Sequence, residues 1–322
     1  GCNVTVLAYP FNKMGRVNPR RYLSHKVMYK YILPHEKLKI DSDTSYYIYA
    51  PIIYELNPLV KDYSHLKIAG IHGFVITAEL SDYEVWRIPP LRFIRMHGFK
   101  AFLAYYYLKL TGKRGLFRYD LTHIINPFQR FFLPDRLSPR IFYAPLWTNY
   151  TRIRSNYTDA GEYFKILILG CNDFRKGYDI CEALINYFFK QSSFKILFYS
   201  NVRFKNPGVR FIGFIKEEDI PRLLSQVNLL LHPSRLDTFG LTIIESLACG
   251  TPVITSNILA HRIFSPPVFL CSSLRDYIVE ITRLYGLWRE GCYEEVRRRA
   301  ESEGKKFSKE SVLPLYRRLF RC

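Results

Sequence analysis

The segment His232 to Asn257, HPSRLDTFGLTIIESLACGTPVITSN, leaves little freedom in how the chain around it folds. Asn228 to Leu231, just before it, is the apolar run that a parallel strand covered on both faces requires, and Pro233-Ser234 stops it. A helix is then expected from near Thr238, with Thr238 as an N-cap that accepts backbone N–H groups. Ile243, Ile244, Leu247 and Ala248 would turn inward, and Gly250 with Pro252 would close the helix. Val253 to Thr255 resumes the sheet. Asp237 then falls in the loop at the carboxyl end of a strand and Glu245 two turns into the helix, so two carboxylates flank one crevice. In open α/β sheets that crevice is where ligands bind.

Size and composition point to two lobes. At 322 residues the chain is long for a single core and suits two domains of about 150 residues each. Its 48% hydrophobic and 16% aromatic content is enough to fill both. No apolar stretch reaches the ~18 residues needed to span a bilayer. The opening GCNVTVLAYP reads as a strand, because no basic segment precedes its apolar one, and the expected location is cytoplasmic with at most peripheral membrane attachment. The seven cysteines show no C-x-x-C and no histidine at zinc spacing, which predicts buried small apolar residues and no metal centre. The three glutamines, Gln129, Gln191 and Gln226, against abundant Lys, Arg, Tyr and Ile, hint at a thermophilic source.

Strand-like and helix-like stretches alternate along both halves. Val4 to Tyr9, Ser45 to Ile53, Leu66 to Gly70 and Ile141 to Pro145 are the expected strands of the first lobe, and Leu146 to Gly161 reads as a linker. In the second lobe Lys165 to Leu169, Phe194 to Tyr199 and Val209 to Gly213 read as strands. Asp179 to Phe189 and Ile220 to Gln226 read as helices. Such alternation marks a doubly wound parallel sheet.

An acid, then Phe239-Gly240-Leu241, then Glu245 eight positions after the acid, and the close Ala-Cys-Gly-Thr-Pro-Val, together resemble retaining glycosyltransferases of family 4. That resemblance implies an α/β fold of GT-B architecture, two Rossmann-like domains facing across a cleft. The first would span 1–152 and be completed by a last helix, 307–322, that crosses back onto it; the second would span 160–306. The family's two glutamates have seven residues between them, and here the first of the pair is Asp237. After the strand at Lys165, GCNDFRKGYD matches the family's phosphate loop in Gly170 and Lys176-Gly177, with Cys171 where an arginine is usual. By the resemblance, Lys176 is the cation at the leaving diphosphate, where negative charge grows as the C1–O bond breaks. Arg175 would supply a second cation in place of the missing arginine. Asp237 would face the donor sugar, Glu245 would bind the ribose hydroxyls, and the backbone of Thr238, Phe239, Gly240, Leu241 and Thr242 would meet phosphate or sugar oxygens at a helix start. In the first lobe, His72 of IHGF matches the sugar-transfer point and Gly15 a loop near the phosphates; Gly213 completes the donor-binding set. The substrate implied is a UDP- or GDP-linked hexose, with no cofactor and no metal, and Asp41-Ser42-Asp43 reads as a turn.

Charge suggests the acceptor. The formal net charge is +19, and between Arg87 and Arg140 eleven Lys and Arg residues stand against Asp120 and Asp135. Aromatic residues are interleaved with these cations. In the first lobe this fits an anionic or lipid-linked acceptor reached by peripheral membrane contact through 87–140. The same charge leaves two rivals: a nucleic-acid-directed glucosyltransferase or binder on this scaffold, and a degenerate, non-catalytic binding protein. Family glycines missing after Phe198-Tyr199 and after Thr255 leave the donor open.

Overall fold

The computed structural model describes residues 4–8, 27–31, 46–49, 67–71, 99, 117, 119–151 and 162–320. Strands β1 (Val4–Ala8) and β2 (Val27–Tyr31) form a parallel pair. A second parallel sheet runs β3 (Tyr46–Tyr49), β4 (Lys67–Ile71), β5 (Leu121–Ile124) and β6 (Ile141–Tyr143) in that order. The third sheet has six parallel strands in the order β12-β11-β10-β7-β8-β9. These are β7 (Phe164–Ile168), β8 (Ile196–Ser200), β9 (Val209–Phe211), β10 (Leu229–His232), β11 (Val253–Ser256) and β12 (Val268–Cys271).

The third sheet follows from its residues. Every residue of β10 and β11 is buried, as central strands covered by helices on both faces must be. Helix α1 (Tyr178–Phe189) and helix α2 (Ile220–Ser225) connect its early strands, and α3 (Leu241–Ala248) buries Ile243, Ile244, Ser246 and Leu247. Asn228, expected to open β10, instead precedes it: its Oδ1 accepts the Lys165 N–H at 2.7 Å and so anchors the start of the strand. His232, expected as the first residue past the strand, ends it.

Two helices and three strands add to the expected elements. Helix α4 (Leu274–Arg289) starts in a reciprocal capping box, Ser273 with Asp276, and α5 (Tyr293–Lys305) packs beside α3. Strands β2, β5 and β12 are likewise additional. β5 reads LTHI, and its polar Thr122 and His123 are fully buried, so no apolar run marks it. His123 Nε2 lies 2.8 Å from the Ala144 carbonyl, and burial pushes its imidazole down to about 4. Last comes α6 (Lys309–Phe320), whose Tyr316 ring lies edge-on to both His123 and Trp147. Of the described cysteines Cys171, Cys181, Cys249 and Cys271 are buried, whereas Cys292, in the short loop between α4 and α5, is exposed.

β7 leads to β8 and β9 on one side, while β10 leads to β11 and β12 on the other. The order reverses between β7 and β10, which makes their carboxyl ends the switch point of the sheet. Across from it, fully buried Asn126 donates from Nδ2 to the carbonyls of Thr238 and Ala260 at 3.3 and 2.9 Å. Its neighbour Gln129 donates to the Ile71 carbonyl at the end of β4, 2.9 Å away. These two amides tie the four-stranded sheet to the loop that follows β10.

Candidate active site

After β7 the chain makes a single 3₁₀ turn, Phe174–Lys176, closed by Gly177 in the left-handed region at φ 78°. A Cβ on Gly177 would sit 2.2 Å from the Pro233 carbonyl oxygen, so only glycine lets this loop lie against the loop after β10. The contact brings the two switch-point loops together. Arg235 and Leu236 donate their N–H groups to the Arg175 carbonyl, and Lys176 Nζ donates to the Leu236 carbonyl at 3.3 Å. Lys176 Nζ stands 3.9 Å from Asp237 Oδ2.

Arg175, expected as the second cation, lies in the same turn with its side chain 42% exposed. Its guanidinium is held by Asp173 Oδ2 at 2.6 and 3.1 Å, and the other oxygen of that aspartate caps the turn through the Lys176 N–H. The loop is pinned by Arg235, which sequence reading passed over. Arg235 meets Asp179 in a two-pronged pair at 2.6 and 2.7 Å, donates to the Phe174 carbonyl at 2.7 Å and stacks on the Phe174 ring. Lys176, 39% exposed at its side chain, is the cation of this loop that meets Asp237.

Asp237 is the hub of the site. Its Oδ1 accepts the N–H groups of Thr238 and Phe239 at 2.9 and 3.4 Å. Near Oδ2 lie His232 Nε2 at 3.2 Å, His261 Nε2 at 3.6 Å and Lys176 Nζ at 3.9 Å. Burial alone would push this carboxyl up, but hydrogen bonds from His232 and His261 and the charges of His261 and Lys176 hold it well below the usual carboxylate range. Burial also pushes the His232 imidazole below its ordinary value, against the pull of Asp237. His232, Asp237 and His261 offer ligand atoms within 4.8 Å of one another and are the group among the described residues that can hold a metal ion. Neither histidine was singled out from the sequence. His232 stood within the signature, but His261 arrives from a 3₁₀ turn after β11, Leu259–His261, and nothing local announces it.

The helix start differs from expectation. Thr238 is not the N-cap: Gly240, left-handed at φ 97°, holds that position, and a Cβ there would meet Ile243 at 2.8 Å. Asp237 takes the N–H groups of Thr238 and Phe239, so these two are not open to a ligand. Phe239 instead packs with Phe264 and Phe307 in the core. No side chain caps α3, and the N–H groups of Gly240, Leu241 and Thr242 have no acceptor among the described residues.

Glu245 is the fifth residue of α3, one turn in rather than two. Its carboxyl lies within electrostatic reach of Tyr150, Glu217 and Cys249, and burial, with the nearby charge of Glu217, pushes it up to about 7. Among the described residues it shares no hydrogen-bond or ion-pair partner with Asp237. Gly213 follows β9 at the sheet edge, with β8 between it and β7. His72 and Gly15 lie outside the described residues.

Residues 200–262 match the family described as glycosyl transferases group 1. Over 50 residues the chain is 38% identical to the O-antigen chain mannosyltransferase B of Escherichia coli, a stretch that covers 16% of this chain and 13% of that protein. The solved structure of TarM superposes with a TM-score of 0.59 and 16% identity over 87% of this chain and 55% of its own. The structure of Anabaena Alr3699/HepE in complex with UDP superposes with a TM-score of 0.60 and 13% identity over 85% of this chain and 77% of its own. The match to the mannosyltransferase is thus confined to a small part of that relative, and about half of TarM is covered. The fold is the GT-B architecture of glycosyltransferases, with residues 200–262 in the six-stranded parallel sheet.

Proposed function

We propose that the chain is a retaining, metal-independent glycosyltransferase that moves a hexose from a UDP- or GDP-linked donor to a hydroxyl acceptor. The observation that carries this reading is the meeting of Lys176 and Asp237, 3.9 Å apart at the switch point, beside the uncapped start of α3. A diphosphate placed there meets one ammonium and the backbone N–H groups of Gly240, Leu241 and Thr242, the donor set that a departing dianion needs. As the C1–O bond breaks, its electron pair stays on the diphosphate oxygen, and Lys176 stabilises the charge that grows there. The acceptor hydroxyl adds to C1 on the same face, and its proton passes to the departing phosphate oxygen. Asp237 accepts a hydroxyl of the donor sugar, Glu245 accepts from the ribose diol, and His72 acts from the opposite lobe.

In this reading residues 1–152 with 307–322 form the acceptor lobe and 160–306 the donor lobe; the packing of Tyr316 on His123 and Trp147 supports that division. An anionic, lipid-linked acceptor is supported by exposed Phe131 and by exposed Arg130, Arg136 and Arg140 in the same short stretch of chain. Among the described residues no helix is long and apolar enough to cross a membrane, and attachment would be peripheral. The name of the mannosyltransferase relative supports a saccharide acceptor.

The test is a panel of UDP-, GDP- and ADP-hexoses incubated with the chain and anionic or neutral vesicles that carry a polyprenyl-phosphate sugar. Nucleotide release from one UDP- or GDP-sugar, faster on anionic vesicles and undiminished by EDTA, is the expected result. Release only with duplex DNA would favour the nucleic-acid-directed rival, and no release with any donor would favour a binding protein.

A further inference from the structure

His232 ends β10, His261 ends the 3₁₀ turn after β11, and both rings reach the same oxygen of Asp237. The spacing of these atoms is that of ligands around one ion. With bonds of about 2.0–2.1 Å, the ligand atoms of a four-coordinate zinc ion stand about 3.3 Å apart. Asp237 Oδ2 stands 3.2 Å from His232 Nε2 and 3.6 Å from His261 Nε2, and all three atoms lie within 4.8 Å of one another.

The groups behind the three atoms are those an outer shell provides. The Ser256 carbonyl, 3.1 Å from His261 Nδ1, can only accept, so Nδ1 carries a hydrogen and Nε2 is the ligand atom of that ring. His261 Nε2 is buried, with no closer hydrogen-bond partner than Asp237 among the described residues. Asp237 Oδ1 accepts the N–H groups of Thr238 and Phe239, which leaves Oδ2 for the rings. The side chain of His232 is 6% exposed, that of His261 is fully buried, and that of Asp237 is 19% exposed, so a fourth ligand would enter beside the carboxylate. Two imidazoles with one carboxylate suit Zn²⁺ or Co²⁺ and not Mg²⁺, which takes oxygen ligands and keeps its water. The rival cation is Lys176, 3.9 Å from Oδ2; its side chain is 39% exposed and free to turn into water.

We propose that His232, Asp237 and His261 form a three-ligand site for a divalent ion of the zinc class, and that filling it closes the donor site. The ion replaces the hydrogens that the rings otherwise turn to Asp237, and it takes the oxygen that would face the donor sugar. Its charge also drives the Lys176 ammonium from the place where a diphosphate would meet it. Transfer needs no metal, and the ion acts as an inhibitor. The inhibition rests on the reading of Asp237 and Lys176 as donor-site residues, whereas the binding does not.

The first readout uses Co²⁺ and no sugar. At constant pH, Co²⁺ added to the metal-free full chain should give the visible bands of four-coordinate cobalt, saturating at one equivalent, without the near-ultraviolet band of a thiolate ligand. Zn²⁺ should displace it, and excess Mg²⁺ should not. His232→Gln, Asp237→Asn and His261→Gln should each weaken Co²⁺ by about tenfold or more, with folding checked by circular dichroism. Absence of the bands in the wild type, a thiolate band, or equal affinity in every folded variant overturns the site; if no variant folds, the wild-type spectrum alone decides it. The second readout is nucleotide release, which one equivalent of Zn²⁺ should lower about tenfold or more and EDTA restore. Undiminished release by the zinc-loaded chain overturns the inhibition. A chain that binds Co²⁺ as described but turns over no donor would fault the proposed function and leave the metal site standing.

Discussion

Lys176→Ala is expected to lower kcat for sugar transfer by about 10²- to 10³-fold while Tm stays within about a degree of wild type. The reasoning begins with what Lys176 does without substrate. Its ammonium is 39% exposed, 3.9 Å from Asp237 and 3.3 Å from a carbonyl, so it is held in direction but only partly neutralised. An exposed pair at that distance contributes under about 1 kcal/mol to stability. In the transition state the situation changes: charge develops on the diphosphate, water is displaced, and one correctly placed cation is worth several kcal/mol. The loss should therefore fall on kcat more than on donor KM. Lys176→Arg should recover part of it, since a guanidinium keeps the charge but not the compact reach. Stopped-flow or steady-state release of nucleotide, with scanning calorimetry alongside, separates these effects. A variant with unchanged kcat would place the leaving group elsewhere.

Glu245→Gln should stabilise the protein and disable it at once. The folded carboxyl is raised from 4.5 to about 7 by burial and by Glu217, so the folded state holds a proton that the unfolded chain has already lost between these values. Stability therefore falls as pH rises from about 4.5 to about 7, and above that the ionised, buried carboxylate costs on the order of 1–3 kcal/mol. Glutamine removes that cost. Tm at pH 8 should rise by roughly 2–6 °C, and the difference from wild type should close near pH 5. Donor binding should move the other way: a ribose diol donates best to a carboxylate, so wild-type affinity should increase from pH 6 to pH 8, and the variant should lose most of its affinity at both. A residue that lowers stability in its working charge state is one kept for binding. A destabilised variant with wild-type donor affinity would give Glu245 a purely structural role.

Much of the second lobe was legible in the chain, for physical reasons visible in particular residues. β7, β10 and β11 are almost wholly buried and mostly apolar, and Gly177 marks backbone that no other residue accommodates. Lys176 stood out through the resemblance of GCNDFRKGYD to the family's phosphate loop. β5 was illegible because its buried Thr122 and His123 look like surface residues until the Ala144 carbonyl is known to lie 2.8 Å from the ring. The start of α4 was readable in Ser273 and Asp276 but was passed over. At the site, Thr238 looked like a cap because Ser and Thr usually are, whereas the helix starts two residues later behind left-handed Gly240, and Asp237 takes the N–H groups of Thr238 and Phe239. His261 and Asn126 could not be found from sequence. Their partners lie on other strands or in the other sheet, and only the fold brings them to Asp237 and to its loop.

The central claim is that the switch point between β7 and β10 holds a nucleoside diphosphate. Calorimetric titration of UDP, GDP and ADP, and of the matching monophosphates, into wild type and Lys176→Ala addresses it directly. One of UDP or GDP should bind the wild type at least tenfold more tightly than its monophosphate, and that preference should vanish in Lys176→Ala. Equal binding of di- and monophosphate by both proteins, or no binding by the wild type, would contradict it.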